Sequence, residues 1–204
     1  MTEDSTAQEL MAAYGISLEE ETAEEYRGLL VVAEGQQGQV SEASLAALGV
    51  GRDLADAFGA RLEVLLLGAG EDQAPGLISR GADAVLLPQA PAAYQAQAWL
   101  AALVSAVQAR RPEVVLLAGT DITRDLAPRA AQCLDTGLIG GAQELRAEAD
   151  KRLVVGIVPL YGGRLLGEFA CPVRRPQFIA LAEKVGRVPS EDRWRTGEVV
   201  HLPA

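Results

Sequence analysis

The residues best suited to chemistry follow an apolar run and open a helical stretch, in LAGTDITRDLAPRAAQCLDTGL (117–138). Backbone N–H groups at the start of a helix carry positive potential and attract phosphates and other anions. The side chains of this turn could contact a phosphate or a flavin, which makes five residues candidates for cofactor binding: Gly119, Thr120, Thr123, Arg124 and Asp125.

The same turn also fits a capped helix with no ligand. Thr123 is predicted to cap a helix that begins near Arg124, with Asp125 in the first turn and Pro128 close enough to the start to be tolerated. The segment contains neither GxGxxG nor GxxxxGK[ST], the two glycine motifs that bring backbone close to phosphates. Local sequence therefore leaves both interpretations open.

Neither cysteine nor the single histidine indicates a catalytic or metal site. Cys133 lies in an alanine-rich helical stretch and Cys171 ends an apolar run, so both are predicted to be buried thiols. The sequence has no CxxC pair, and His201 lies in the tail without a nucleophile nearby in sequence. We predict no catalytic residue, no metal and no catalysis by the chain alone.

Composition argues against a nucleic-acid-binding protein and against a membrane-spanning one. The chain is 49% hydrophobic with a formal charge of −10 and a pI near 4.6, which opposes nucleic-acid binding because that depends on lysine and arginine. Its apolar runs are far shorter than the roughly 20 residues that cross a bilayer. The N-terminal MTEDSTAQEL does not resemble a secretory signal, so we predict no membrane span and a cytoplasmic location.

Short apolar runs alternate with helical stretches from Leu29 onward, a pattern typical of strands in a parallel sheet covered by helices: LLVVAEG, RLEVLLLGAG, ADAVLLP and PEVVLLAG. One helix is predicted from an N-cap at Ser41 to a stop at Gly59, and another from Pro91 to Pro112. The stretch between them is a short helix at best because Pro75 and Gly76 interrupt it.

The second half has strand-like segments after about Gly137: GGAQELRAE, KRLVVGIVPLY, GRLLGEFACP and PQFIALA. Turn residues at 148–151 and 162–163 indicate hairpins, so we expect antiparallel strands to extend the parallel sheet. Three regions follow: an acidic helical arm over 1–25, a central domain over 26–185 and a polar, loosely docked extension over 186–204.

Several segments together resemble the N-terminal domain of the electron transfer flavoprotein alpha subunit family: 26–68, GADAVLLP, RPEVVLLAGTDITRDLAPRAAQCLDTGL and YGGRLLGEFACPVRRPQ. The similarity covers about 26–182. It implies a three-layer α/β/α sandwich related to adenine-nucleotide hydrolase-like folds. It also implies flavin-based electron transport, a beta-like partner subunit that holds AMP or a second FAD, and a dehydrogenase as a further partner.

The sequence departs from that family at several points. Thr123 stands where glycine is usual before Arg124, IGGAQ replaces a more polar stretch, and Arg164 stands where asparagine is common. Neither Gly-Gln-Thr-Gly nor Ser-Gly-Ala-x-Gln-His, which mark the family's FAD-binding domain, occurs in the chain. We therefore expect that domain to be missing, with no tightly bound cofactor on the chain alone and FAD or AMP only in complex with a partner.

The resemblance thus implies an alpha-like subunit that docks a beta-like partner, or one whose FAD domain is supplied by another polypeptide. Candidate partner-binding residues are Arg129, Tyr161, Gly162, Gly163 and Arg164. The glycine pair would let backbones approach, although a hairpin turn without a partner explains it as well. A stand-alone adenine-nucleotide-binding regulatory module, with a pocket formed by 33–35 and 119–123, is the alternative function.

Overall fold

The computed structural model describes residues 25–203, so the arm predicted over 1–25 lies outside the described residues except for Glu25. These residues form eleven strands: β1 (Leu29–Gln36), β2 (Gln39–Val40), β3 (Leu62–Leu67), β4 (Ala84–Leu87), β5 (Val114–Leu117), β6 (Leu138–Ala142), β7 (Glu144–Glu148), β8 (Leu153–Leu160), β9 (Leu165–Phe169), β10 (Gln177–Leu181) and β11 (Glu198–His201). They also form four α-helices: α1 (Glu42–Phe58), α2 (Ala74–Ser79), α3 (Ala96–Arg110) and α4 (Asp121–Cys133).

Seven strands run parallel in the main sheet, in the order β11-β4-β3-β1-β5-β10-β6, and β2 pairs antiparallel with β1. Helices cover both faces, with α1 and α2 on one and α3 and α4 on the other. Strands buried on both faces need apolar side chains throughout, which explains the uninterrupted apolar runs. The predicted α/β/α sandwich is confirmed.

The antiparallel strands are present but form a separate sheet in the order β7-β8-β9. Val154 of β8 packs into the core cluster on the α1 side of the main sheet, next to Ile139 and Ala142 of β6. Strand β10 returns to the main sheet between β5 and β6. The prediction of added antiparallel strands is thus correct, whereas their attachment to the parallel sheet is not observed.

Residues near the end of the chain are not loosely docked as expected. Strand β11 pairs in parallel with β4, Leu202 is buried, and Arg195 Nη2 lies 2.6 Å from Asp83 Oδ1. The apolar run of this strand is only Val199–Val200, too short to be recognised by periodicity.

The helix predictions are partly confirmed. Helix α1 has Ser41 as N-cap and Gly59 as a left-handed C-cap, as predicted. Helix α3 begins at Ala96 instead of Pro91, because residues 91–95 form an irregular segment in which the Pro91 carbonyl accepts a 3.0 Å hydrogen bond from Trp99 Nε1. Within residues 25–203, no helix combines the length and apolarity of a bilayer-spanning segment.

Candidate functional site

The predicted cofactor turn lies at the carboxyl edge of the main sheet, between β1 and β5. Helix α1 follows β1 on one face and α4 follows β5 on the other, so the chain leaves these neighbouring strands in opposite directions. Such a divergence opens a crevice at which open α/β sheets commonly bind ligands. The position of this turn is therefore one at which a ligand could bind. Which ligand could bind depends on the side chains around the crevice.

Thr120, and not Thr123, caps α4. Its hydroxyl accepts a 3.2 Å hydrogen bond from the Thr123 N–H, and the Thr123 hydroxyl accepts a 3.0 Å bond from the Thr120 N–H. Thr123 is fully buried and its hydroxyl also contacts the Ala118 carbonyl. Both threonines thus complete a reciprocal capping box.

The earlier helix start corrects two further expectations. Asp121 occupies the first turn in place of Asp125, and Pro128 lies inside the helix. A proline in a helix interior cannot donate to the carbonyl four residues before it, here that of Arg124. The sequence was ambiguous because threonine stands at both possible cap positions.

Gly119 is required by packing within the chain. A Cβ at this position would lie 2.4 Å from the Ala182 carbonyl carbon and 2.7 Å from the Glu183 nitrogen, both backbone atoms that follow β10. The turn before α4 and the end of β10 are therefore in direct backbone contact. Close packing within the chain is therefore enough to explain a glycine at position 119.

Arg124 and Asp125 are engaged in separate ion pairs on the surface of α4. Arg124 Nη1 lies 2.9 Å from Asp121 Oδ1, and its other terminal nitrogen contacts Glu183. Asp125 accepts hydrogen bonds of 2.5 Å from the Tyr94 hydroxyl and 2.9 Å from Arg129 Nε. The Tyr94 hydrogen bond, followed by Arg129, holds the pKa of Asp125 below its ordinary value.

The structure reveals a carboxyl group that the sequence analysis missed. Glu34, on β1, is fully buried, and its Oε1 accepts a 2.6 Å hydrogen bond from the Thr120 hydroxyl. Burial raises the pKa of Glu34 and outweighs the opposite effect of that hydrogen bond. A glutamate that interrupts the apolar run LLVVAEG was the available sequence signal.

These residues do not fit a flavin. Gly119 packs against backbone, Thr123 is buried, and Thr120, Arg124 and Asp125 bond to neighbouring side chains. Within the described residues no group of three or more histidine, cysteine or carboxylate side chains could hold a metal ion. A redox step cannot be derived from the side chains at this turn.

The two predicted buried thiols differ in the structure. Cys133 is exposed at the end of α4, which corrects the prediction, because the helix presents this position to solvent and not to the sheet. Cys171 is half-buried, and burial raises the pKa of its thiol. A raised pKa makes a cysteine a weaker nucleophile at neutral pH.

The predicted partner-binding turn joins β8 to β9 and projects beyond the carboxyl edge of the main sheet. Near its start, β8 bonds to Gln177 of β10, and its Ile157 carbonyl already accepts from Gln143, just past the end of β6. The turn residues follow several positions later. The turn that begins α4 and the turn between β8 and β9 therefore lie at the same edge.

The turn itself is exposed. Tyr161 is 78% exposed, and Gly162 and Gly163 have φ angles of 69° and 85° with open space where a Cβ would lie. The glycines are thus required by left-handed backbone, and no close approach within the described chain explains them. Arg164 is exposed, while Arg129 is paired with Asp125 on α4.

Fold and site together define an α/β protein with a parallel sheet, a capped helix at the crevice and an exposed antiparallel hairpin at the same edge. The chain belongs to the electron transfer flavoprotein domain family, whose model matches residues 29–204. The family resemblance found in the sequence is thereby confirmed.

Proteins similar in sequence to this chain include alpha subunits of electron transfer flavoproteins. The electron transfer flavoprotein subunit alpha of Megasphaera elsdenii is 34% identical over 183 residues, which cover 88% of this chain and 54% of that protein. Protein FixB of Clostridium saccharobutylicum is 34% identical over 77% of this chain and 48% of its own length. The lactate dehydrogenase (NAD(+),ferredoxin) subunit LctC of Acetobacterium woodii is 28% identical over 85% of this chain and 42% of its own. The chain spans about half the length of the curated relatives it matches.

Proposed function

We propose that this chain is an alpha-like subunit of a flavin-based electron transfer complex and docks a beta-like partner through the β8–β9 hairpin. The observation that carries the proposal is a group of exposed apolar side chains on the hairpin, namely Tyr161, Leu165, Leu166 and Phe169, with exposed fractions of 78%, 58%, 67% and 43%. Several exposed apolar side chains on one hairpin are typical of an interaction surface in a soluble protein.

The sheet geometry supports docking at this place. Strand β8 pairs with β7 on one side and β9 on the other, so β9 is the edge of the small sheet. Leu165 and Phe169 lie on one side of β9 and Leu166 on the other, because side chains alternate along a strand. Each side of the edge strand thus carries at least one exposed apolar side chain, with the Glu168–Arg146 ion pair on the side of Leu166.

The proposed electron carrier belongs to the complex and not to this chain. The residues at the α4 turn do not fit a flavin, so we propose that FAD or AMP is held only together with the partner. Under this proposal the chain encloses and orients the partner, while the flavin supplies the electron transfer. The similarity to LctC, a lactate dehydrogenase subunit by name, supports a dehydrogenase as a further partner.

The test is a binding measurement between the full chain and the beta-type subunit from the same organism, with Leu166→Asp as the variant. Burying an uncompensated carboxylate in an apolar interface should weaken binding at least about tenfold. Val188→Asp is the matched control, because Val188 is 40% exposed and lies outside the hairpin.

Absorbance of the purified complex gives the second readout. We expect a colourless isolated chain and a complex with a flavin spectrum that depends on the hairpin. Equal affinities of wild type, Leu166→Asp and Val188→Asp would place the interface elsewhere. A stoichiometric flavin on the isolated chain would contradict the proposed division of roles.

A further inference from the structure

A cavity of about 720 Å³ lies at the amino edge of the main sheet, opposite the edge beyond which the β8–β9 turn projects. Most of its lining comes from the residues just before β1, β3 and β5, and the rest from the end of α3 and the turn before β8. The charged side chains of the lining are four arginines and two glutamates: Arg27, Arg61, Arg110, Arg152, Glu63 and Glu113. Positive charges therefore exceed negative ones in this amino-edge cavity.

One arginine already neutralises each of the two glutamates. Glu113 is buried, and its Oε1 accepts a 2.6 Å hydrogen bond from Arg152 Nη2. Glu63 is also buried, and its Oε2 accepts a 2.8 Å hydrogen bond from Arg110 Nε. Each glutamate also contacts a second nitrogen of the same guanidinium, so both pairs are bidentate. These two pairs leave two arginines of the lining in excess.

The two remaining arginines precede neighbouring strands. Arg27 is exposed, and no carboxylate of the described residues lies within ion-pair distance of its guanidinium. Arg61 pairs through Nη2 with Glu198 at 2.5 Å, outside the cavity lining, and its side chain remains partly exposed. Since β1 and β3 are adjacent in the sheet, both arginines border the same opening. Residues 25–203 thus leave a positive charge at this opening without a counterion.

The part of the chain before the described residues has the opposite charge. Residues 1–24 contain seven of the 28 acidic residues of the chain and none of its 18 lysines and arginines. Four of the seven fall within the last six positions: Glu19, Glu20, Glu21 and Glu24. The composition of this segment therefore complements that of the cavity lining.

The acidic segment joins the described structure at the border of the cavity. Glu25 contacts Arg111, and the Arg27 N–H donates a 2.8 Å hydrogen bond to the Arg111 carbonyl. Glu21 lies only five residues before Tyr26, which lines the cavity. Five extended residues span up to about 17 Å, more than three spacings between neighbouring strands. Glutamates 19–24 can therefore reach the whole opening.

We propose that residues 19–24 fold back over the amino-edge cavity and pair their glutamates with Arg27 and Arg61. Single ion pairs between exposed side chains contribute little, but a short tether gives the segment a high effective concentration at the cavity and lets several pairs act together. This contact is separate from the hairpin and does not depend on the docking of a partner. While the segment is in place, the cavity is closed to an acidic peptide of another protein.

Cleavage of the full 204-residue chain by a glutamate-specific protease tests the proposal. Docking should slow cleavage after Glu19, Glu20 and Glu21 relative to cleavage after Glu9, which serves as an internal control in the same sample. Because salt screens ion pairs between exposed charges, high ionic strength should raise the ratio of the two cleavage rates at least about fivefold. A ratio that is independent of salt would overturn the proposal.

Charge reversal at a single arginine provides a matched pair of variants. Arg27→Glu should raise the same ratio at least about fivefold at low salt, since it replaces an attraction by a repulsion and breaks no ion pair of the described residues. Arg193→Glu should leave the ratio unchanged, because Arg193 is also exposed and unpaired but lies between β10 and β11, outside the cavity lining. Equal effects of the two variants would contradict docking at this cavity.

Dilution distinguishes pairing within one chain from pairing between two copies. A contact within one chain does not depend on protein concentration, so the cleavage ratio should stay constant over an approximately hundredfold dilution. Loss of protection on dilution would mean that the segment occupies the cavity of a second copy and would overturn the proposal.

Amide chemical shifts give a readout that changes no residue of the described fold. The full-length triple variant Glu19→Gln, Glu20→Gln, Glu21→Gln should shift the amide resonances of Arg27 and Arg61. The double variant Glu3→Gln, Asp4→Asn is the control and should leave both resonances in place. Unchanged resonances in the triple variant would contradict the proposed contact.

Discussion

The turn that begins α4 and the hairpin formed by β8 and β9 lie at the same edge of the molecule. They differ in whether their side chains bond to other residues of the chain or are exposed to solvent. At the α4 turn, Thr120, Thr123 and Arg124 find their partners within the chain. On the hairpin, Tyr161 and Leu166 are exposed to solvent. A polar motif that looks functional in sequence can thus be mainly structural, while exposed apolar residues better indicate a surface for a partner.

The largest effect that tests this comparison is expected from glycine substitutions. Gly119→Ala should lower the free energy of unfolding by about 3 kcal/mol, because the added methyl group meets the backbone of 182–183. Gly163→Ala should cost only about 1 kcal/mol, since its φ of 85° is strained for alanine but the space is open. Urea denaturation measures both, and equal losses would contradict the difference between the two regions.

Thr123→Val should have the next largest effect. The change keeps the shape but removes the hydroxyl that bonds both the Ala118 carbonyl and the Thr120 N–H, which then keep only the 3.1 Å bond between them, so we expect a loss of about 2 kcal/mol. Thr196→Val is the control, because Thr196 is exposed and should change stability by less than about 0.5 kcal/mol. Similar stability of both variants in thermal unfolding would show that the capping box contributes little.

Glu34→Gln should produce a smaller, pH-dependent effect. The raised pKa of Glu34 means that the folded state retains this proton more strongly than the unfolded chain. The resulting stabilisation is complete below the ordinary glutamate pKa of 4.5 and is lost as pH rises through the raised value in the folded state. Glutamine cannot ionise, so the variant should lose this part of the decline in stability with rising pH.

Unfolding free energies of wild type and Glu34→Gln, compared at a series of pH values, measure this effect. Tyr94 and Asp125 lie near Glu34 and remain in both proteins, so the difference isolates the glutamate. Here burial, followed by the Asp125 hydrogen bond, raises the pKa of Tyr94 to about 12, well above this range. Parallel pH profiles for the two proteins would show that folding does not raise the pKa of Glu34.

The smallest effect on stability is expected on the hairpin. Leu166→Asp should change the unfolding free energy by less than about 0.5 kcal/mol, because the 67% exposed side chain makes few contacts to lose. Chemical denaturation of the isolated chain checks this expectation. A loss of several kcal/mol would mean that Leu166 belongs to a core and would remove the basis for docking at this strand.

Much of the sandwich was predictable because its signals are local. The apolar runs of β1, β3 and β5, and the caps Ser41 and Gly59 of α1, are contained in a few neighbouring residues. The separate β7–β8–β9 sheet and the pairing of β11 with β4 depend on contacts between distant segments, which periodicity does not encode.

The sequence predicted that the candidate residues open a helix, which the structure confirms, but the roles of their side chains could not be predicted. Choosing between Thr120 and Thr123 as the cap required the backbone conformation, and recognising Glu34 required knowledge of its burial. The contact of Gly119 with 182–183 joins residues about sixty positions apart in the chain. Local sequence alone therefore could not separate a cofactor cradle from close packing.

Pairing of β4 with β11 has a consequence for biosynthesis. Until residue 201 has left the ribosome, β4 has only β3 as a neighbour, and its Val85–Leu86 backbone remains an open apolar edge. Nascent chains with such edges associate readily with one another or with chaperones. Strand β11 thus covers the β4 edge late in synthesis. A pause in translation before β11 would prolong the period in which the nascent chain is prone to aggregate.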